Sequence, residues 1–141
     1  MAQRKAYVDS SVVLRSILRQ PGATADWLDA GAVVTSELLE LEAWRTLDRL
    51  RLLGRLVGAD MVAATTELRA YLEGIEVVPL QPAILRRAAQ PLPVPVGALD
   101  AIHLATALIW SERRLENLVV FTHDLQLAAA AQACGLEVDS R

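Results

Sequence analysis

Short apolar runs alternate along this chain with longer stretches whose apolar residues recur at helical spacing, and that alternation limits the folds open to it. The first run, "AYVD" (Ala6 to Asp9), reads as a strand ending in an acid. "SSVVLRSILRQ" then reads as a helix closed off by Pro21 and Gly22, and "ATADWLDAG" as a second short helix ending at Gly31. "AVVTS" (Ala32 to Ser36) is the next strand, with Thr35 or Ser36 capping the long helix "ELLELEAWRTLDRLRLLG". Beyond a break at Gly54 and Gly58 come the helix "ADMVAATTELRAYLEG", the strand "IEVVPL", the short helix "PAILRRAAQ" and the proline-rich turn "PLPVPVG". A helix from Gly97 to about Arg114, a strand in "NLVVFTHD", a helix "LQLAAAAQACG" and a strand "LEVDS" complete the pattern. Strands alternating with helices imply right-handed crossovers and a parallel sheet. The expected fold is a single α/β domain over residues 1–141, with three α/β/α layers around a mostly parallel sheet of about four to five strands.

Composition narrows the class further. With 53% of residues hydrophobic and neither Gly nor Pro in excess, the chain can bury a proper core. Cys134 is the only cysteine, so no internal disulfide can form; it reads as a small core residue on the last helix and fits a reducing compartment. The start of the chain reaches an acid after three core residues without the apolar region of a signal peptide, and no run is long enough to span a membrane. A cytoplasmic protein is expected. Lys5 is the only lysine, and Arg45, Arg49, Arg51 and Arg55 fall close together. Arginine forks match phosphate oxygens, although a compositional bias of the genome would produce the same pattern.

The stretch "GALDAIHLATAL" (Gly97 to Leu108) is discordant, because an almost wholly apolar helix carries Asp100 and, one turn on, His103. An unpaired buried charge is expensive, so something there must offset it. Ligands in sheets of this kind bind beyond the carboxyl ends of the strands. Asp9 and Asp124 each end a strand, and Asp100 opens a helix beside the same edge. On the long helix Glu42 flanks the apolar stripe of Leu39, Ala43, Leu47 and Leu50, whereas Glu37 is explained by the helix dipole and Glu40 points to solvent. Glu42 is therefore preferred, with Glu37 as fallback. Each acid alone has a plainer reading: Asp9 and Asp124 are both suited to capping the helix that follows. Four carboxylates on one edge repel unless protonated or neutralised by cations, and all-oxygen ligation suits Mg²⁺ or Mn²⁺. Such a site activates water and stabilises the oxygen leaving phosphorus. Without these four acids the formal charge of −3 becomes +1, so the remaining surface would not repel a polyanion.

Around these acids, His103 is expected to orient Asp100 or a substrate phosphate. Ser10 and Ser11 can donate to Asp9 or to a phosphate, or cap the next helix. His123 would point to the opposite face from Asp124 and has no assigned role. Trp27, Trp44 and Trp110 lie in expected helices, where core or dimer contacts are their natural use.

"YVDSSVVL", "TSELLELEAWRTL", "ALDAIHLATAL" and "VVFTHDLQL", in this order and spacing, resemble the PIN domain, and in particular the VapC toxins of bacterial toxin–antitoxin pairs. The resemblance covers essentially the whole chain. It implies metal-binding acids at Asp9, Glu42, Asp100 and Asp124, with Ser11 and Thr122 as small polar residues near the metal. It also implies a Mg²⁺- or Mn²⁺-dependent endoribonuclease that acts on RNA, is neutralised by a VapB-type antitoxin and forms a homodimer. Arg45 and Arg49 are candidates for holding substrate phosphates. Two positions depart from the family pattern: Leu39 replaces a small polar residue before the glutamate, and Gln126 stands where some relatives have a further acid. The second departure weakens a second metal site. A haloacid-dehalogenase-type phosphatase would want an acid where Ser11 stands, and a dinucleotide-binding domain would want a glycine-rich loop after the first strand. A non-catalytic RNA- or partner-binding domain of the same fold is the remaining alternative.

Overall fold

The computed structural model describes residues 4–23 and 26–140. Strands form at the short apolar runs: β1 (Lys5–Val8), β2 (Ala32–Ser36), β3 (Glu76–Val78), β4 (Leu118–Phe121) and β5 (Glu137–Asp139). The helices are α1 (Ser10–Ile17), α2 (Glu37–Leu52), α3 (Gly58–Gly74), α4 (Pro82–Ala88), α5 (Ala98–Arg114) and α6 (Leu125–Ala133). Neighbouring strands all pair in parallel, in the order β3-β2-β1-β4-β5. The chain thus begins in the middle of the sheet, winds outward through β2 and β3, then returns to wind out the other way through β4 and β5. Strand order reverses between β1 and β4, which is where a doubly wound sheet opens a crevice.

Alternation along β1 divides the core between two faces. Ala6 and Val8, with Val119 and Phe121 of β4, pack against Val12, Leu39, Ala43, Leu47 and Leu68 from α1, α2 and α3. Tyr7, Val34 and Val120 face the other way, against Leu104, Leu108, Leu127 and Ala131 of α5 and α6. The three-layer α/β/α arrangement expected from the sequence is the one observed. Of the two candidate caps for α2, Ser36 does the capping, accepting from Leu38 N–H at 3.1 Å. Thr35 instead ties β2 to β1, donating to the Val8 carbonyl at 2.7 Å.

Differences from the sequence reading lie at element ends. α1 stops at Ile17 instead of running to Gln20, because Arg19 takes a left-handed φ of 53° and Gln20 N–H turns back onto the Arg15 carbonyl. The expected second helix reduces to one 3-10 turn, Asp26–Asp29, with Thr24 and Ala25 outside the described residues. Its Trp27 is wholly buried and seals the core over α3. β3 is only three residues long and stops before Pro79, which has no N–H to add to a ladder. Trp110 is a core residue, while Trp44 is half-buried under the Arg69 guanidinium, 5.5 Å from the ring centre. Cys134 closes the end of α6, half-buried against the second core. Among the described residues no helix is long and apolar enough to cross a membrane.

Leu47 is wholly buried and Leu52, five residues along the same helix, is 71% exposed. Leu47→Ala is expected to lower unfolding stability by about 2–5 kcal/mol. Leu52→Ala should stay within about 0.5 kcal/mol of the parent. Urea denaturation of the two variants checks the contrast, and similar losses would contradict the assigned core.

Candidate functional site

β1 and β4 end in register, Val8 opposite Phe121, so the residues that follow them emerge side by side. Asp9, just after β1, is only 4% exposed. Its Oδ1 accepts from the Ser11 hydroxyl at 2.5 Å and from Val12 N–H at 3.3 Å, and its Oδ2 accepts from the Thr122 hydroxyl at 2.6 Å. Asp9 therefore does cap α1, but a capping acid has no need of the two hydroxyls. Burial pushes its carboxyl up, while the Ser11 and Thr122 hydrogen bonds pull it back down. The same hydroxyls knit the loop after β4: Thr122 Oγ1 accepts from Asp124 N–H at 2.9 Å, and Ser11 Oγ from His123 N–H at 3.1 Å.

Asp124 caps α6, its Oδ1 accepting from Gln126 N–H at 2.8 Å and Leu127 N–H at 3.2 Å. Its charge also acts on Asp100, in the first turn of α5. Burial, and then the charge and hydrogen bond of Asp124, push the Asp100 carboxyl up to about 6; Asp9 adds to the shift and His103 opposes it. Glu42 reaches from the second turn of α2 to α5, where its Oε1 lies 2.6 Å from His103 Nε2. The other ring nitrogen, Nδ1, lies 2.6 Å from the Tyr7 hydroxyl. His103 thus binds Glu42, not Asp100 as expected from the sequence. The i+3 spacing sets the two on one side of α5, but the imidazole turns inward and both its nitrogens are taken.

Not all the remaining candidates are free. Arg45 is held by Asp48 at 3.1 Å, a carboxylate it shares with Arg51, whereas Arg49 makes no ion pair among the described residues. Glu37 is committed to structure, accepting from Leu80 N–H at 2.8 Å, and Glu40 is exposed. His123, which had no assigned role, keeps a buried Nε2 without a hydrogen-bond partner among the described residues. Sequence reasoning missed Tyr7. The signal was an aromatic hydroxyl in the middle of a core strand, since a buried tyrosine usually needs a polar partner.

Among the described residues no three His, Cys, Asp or Glu side chains are already gathered as a metal-holding set. The donor chemistry nevertheless suits a hard divalent cation, because Asp9, Glu42, Asp100 and Asp124 offer only oxygen. The crowding of Asp100 against Asp124 is relieved either by a proton or by a cation. The acids line an open edge; a cleft of about 530 Å³ between the end of α1 and the α2–α3 pair, lined by Ile17, Leu18, Leu50 and Leu56, includes none of them.

Fold and site together define a doubly wound α/β domain with an acidic edge at its point of strand reversal. The chain belongs to the PIN domain family, whose model matches residues 6–133. The likeness to the VapC type read from the sequence also holds. Ribonuclease VapC47 of Mycobacterium tuberculosis (strain CDC 1551 / Oshkosh) is 30% identical over 121 residues, 84% of this chain and 85% of that protein. Two crystal structures share the fold. One is VapBC2 from Rickettsia felis bound to a DNA fragment from its promoter, with TM-score 0.66, 10% identity, and coverage of 96% of this chain and 97% of that one. The other is PAE2754 from Pyrobaculum aerophilum, with TM-score 0.61, 22% identity, and coverage of 97% and 84%.

The acidity of Asp100 has a consequence for stability. Its carboxyl holds a proton up to about pH 6 in the folded chain but only to about pH 4 when unfolded. The folded state binds more protons in that window, so this group favours folding increasingly as pH falls from 7 toward 4. In EDTA at pH 7.5, Asp100→Asn is expected to melt higher than the parent, with the difference shrinking at pH 5. Thermal melts at both pH values check this; a variant that melts lower at pH 7.5 contradicts the crowding.

Proposed function

We propose that this chain is the toxin of a toxin–antitoxin pair, a Mg²⁺- or Mn²⁺-dependent endoribonuclease of the cytoplasm held inactive by a VapB-type antitoxin. The observation that carries the reading is the in-register end of β1 and β4, which sets Asp9, held by Ser11 and Thr122, beside the loop leading to Asp124, whose charge in turn pushes up the Asp100 carboxyl that a divalent cation would relieve. The ribonuclease relative supports the substrate class, and the VapBC structure supports the kind of partner.

Asp9, Glu42, Asp100 and Asp124 would hold the ion. When bound, it would supply positive charge to the phosphodiester oxygens and acidify the attacking water. Asp9 arrives with both oxygens already oriented by Ser11, Thr122 and Val12 N–H, so little freedom remains to be lost on binding. Asp100 would bind the ion as a carboxylate, and Glu42, with Oε1 held by His103, would offer its other oxygen. Arg49, free on the face of α2 that continues from Glu42, would receive an RNA phosphate, whereas Arg45 must first leave Asp48. With aromatic residues only 4% of the chain, recognition would come from the shape of single-stranded RNA more than from base stacking. Exposed Leu52, Leu53 and Val57 at the α2–α3 turn, close to Arg51 and Arg55, support a partner on that side, whether antitoxin or twin in a homodimer.

The test is cleavage of a mixed RNA pool by antitoxin-free protein with Mg²⁺, with Mn²⁺ and with EDTA, beside Asp100→Asn checked for folding by circular dichroism. Discrete products should need metal and fall by more than about 100-fold in the variant, since losing only the outer partners of metal ligands costs about 10–100-fold. Undiminished cleavage by the variant would overturn the site. A folded parent that binds RNA without cutting it would favour the non-catalytic reading.

A further inference from the structure

We infer that Tyr7 is a positioning residue for the acidic edge, acting on Glu42 through His103. The inference rests on the reading of Glu42 as a cation ligand. Its basis is a continuous chain of three side chains from three layers. The Tyr7 hydroxyl and His103 Nδ1 are 2.6 Å apart, and His103 Nε2 and Glu42 Oε1 are again 2.6 Å apart. The two rings meet edge-on, at 76° with centres 5.9 Å apart. Tyr7 belongs to the central strand, which is paired on both sides, and the side chain is wholly buried; His103 is 2% exposed. One end of the chain is therefore fixed in the sheet, while the other ends on the half-buried carboxylate of a helix in another layer.

The direction of the hydrogen bonds follows from the groups. A carboxylate can only accept, so Nε2 carries the hydrogen and donates to Glu42. In the neutral ring Nδ1 is then an acceptor, and the Tyr7 hydroxyl donates to it. Packing alone does not call for this arrangement. The surrounding layer of Val34, Leu104, Leu108 and Val120 would accept a phenylalanine, and a buried hydroxyl is costly unless it is bonded. Besides its hydrogen bonds to Ser36 and Thr35, the hydroxyl holds one nitrogen of the imidazole, whose other nitrogen ties back one oxygen of the Glu42 carboxylate.

The test is Mn²⁺ binding by the folded, RNA-free protein, followed through the electron paramagnetic resonance of the free ion. Tyr7→Phe removes one oxygen atom and should weaken Mn²⁺ binding about 10-fold, the lower end of what outer partners of metal ligands contribute. Thr106→Val is the comparison: Thr106 is also buried, and its hydroxyl donates to the Ile102 carbonyl within α5. It should leave Mn²⁺ affinity unchanged, so a merely structural loss is told apart. In a Glu42→Gln background Tyr7→Phe should have no further effect on Mn²⁺ binding. His103→Gln keeps an N–H for Glu42 but lacks the ring nitrogen that meets Tyr7; it should weaken binding similarly, and it decides the matter if Tyr7→Phe does not fold. Parental affinity in Tyr7→Phe, or a full 10-fold loss on top of Glu42→Gln, would overturn the inference. If Asp100→Asn weakens Mn²⁺ binding while these variants do not, the metal reading stands and this inference alone falls. If the folded parent binds no Mn²⁺, both fall.

Discussion

The parallel pairing of β1 with β4 is the contact on which the rest of this molecule depends. It continues past the strands themselves, with Asp9 N–H meeting the Phe121 carbonyl at 3.4 Å, and so it sets the loop after one strand against the loop after the other. Thr122 can then reach Asp9, and Asp124 is brought round to face Asp100 from the start of α6. The pairing also places Tyr7 in the middle of a sheet with α5 above it. A slip of one residue between these strands would exchange the faces of Tyr7 and Val8, and acid cluster and imidazole would lose their supports together.

Local and global demands conflict at this edge, in a way characteristic of functional sites. Asp9 is buried, and Asp100 feels the charge of both Asp124 and Asp9, although each carboxylate would be better solvated apart. The fold offsets part of this with the two hydroxyls on Asp9 and the free N–H groups at the starts of α1 and α6, which favour negative charge. Asp100 has no such hydroxyls around it among the described residues, and burial together with the charge of Asp124 pushes its carboxyl up to about 6.

Much of this was legible in the sequence, because the periodicities are clean. Short apolar runs bounded by turn residues marked every strand, and the acids after "YV" and "VVF" could be placed on one edge from topology alone. The apolar stripe of α2 fixes which way its acids face: Glu37 accepts from Leu80 N–H, and Glu42 reaches His103. Three things were not legible. Helix ends depended on backbone geometry, as at Arg19, where no glycine signals the left-handed turn. The partner of His103 depended on the depth of the side chain, which spacing along one helix does not reveal. Tyr7 was hidden because an aromatic residue in a core strand looks the same whether or not its hydroxyl is used.

The outermost strands of the sheet, β3 and β5, have three residues each, and β3 runs into Pro79. Each therefore offers a neighbour too few backbone groups to extend the sheet, the usual protection against chains adding edge to edge. Any assembly this domain enters has to be made through its helical layers. Those layers also carry Glu42, Asp100 and the cap of Asp124, so a companion molecule seated on them is never far from the acidic edge. Association through the helical layers and access to that edge would thus be matters of neighbouring surface.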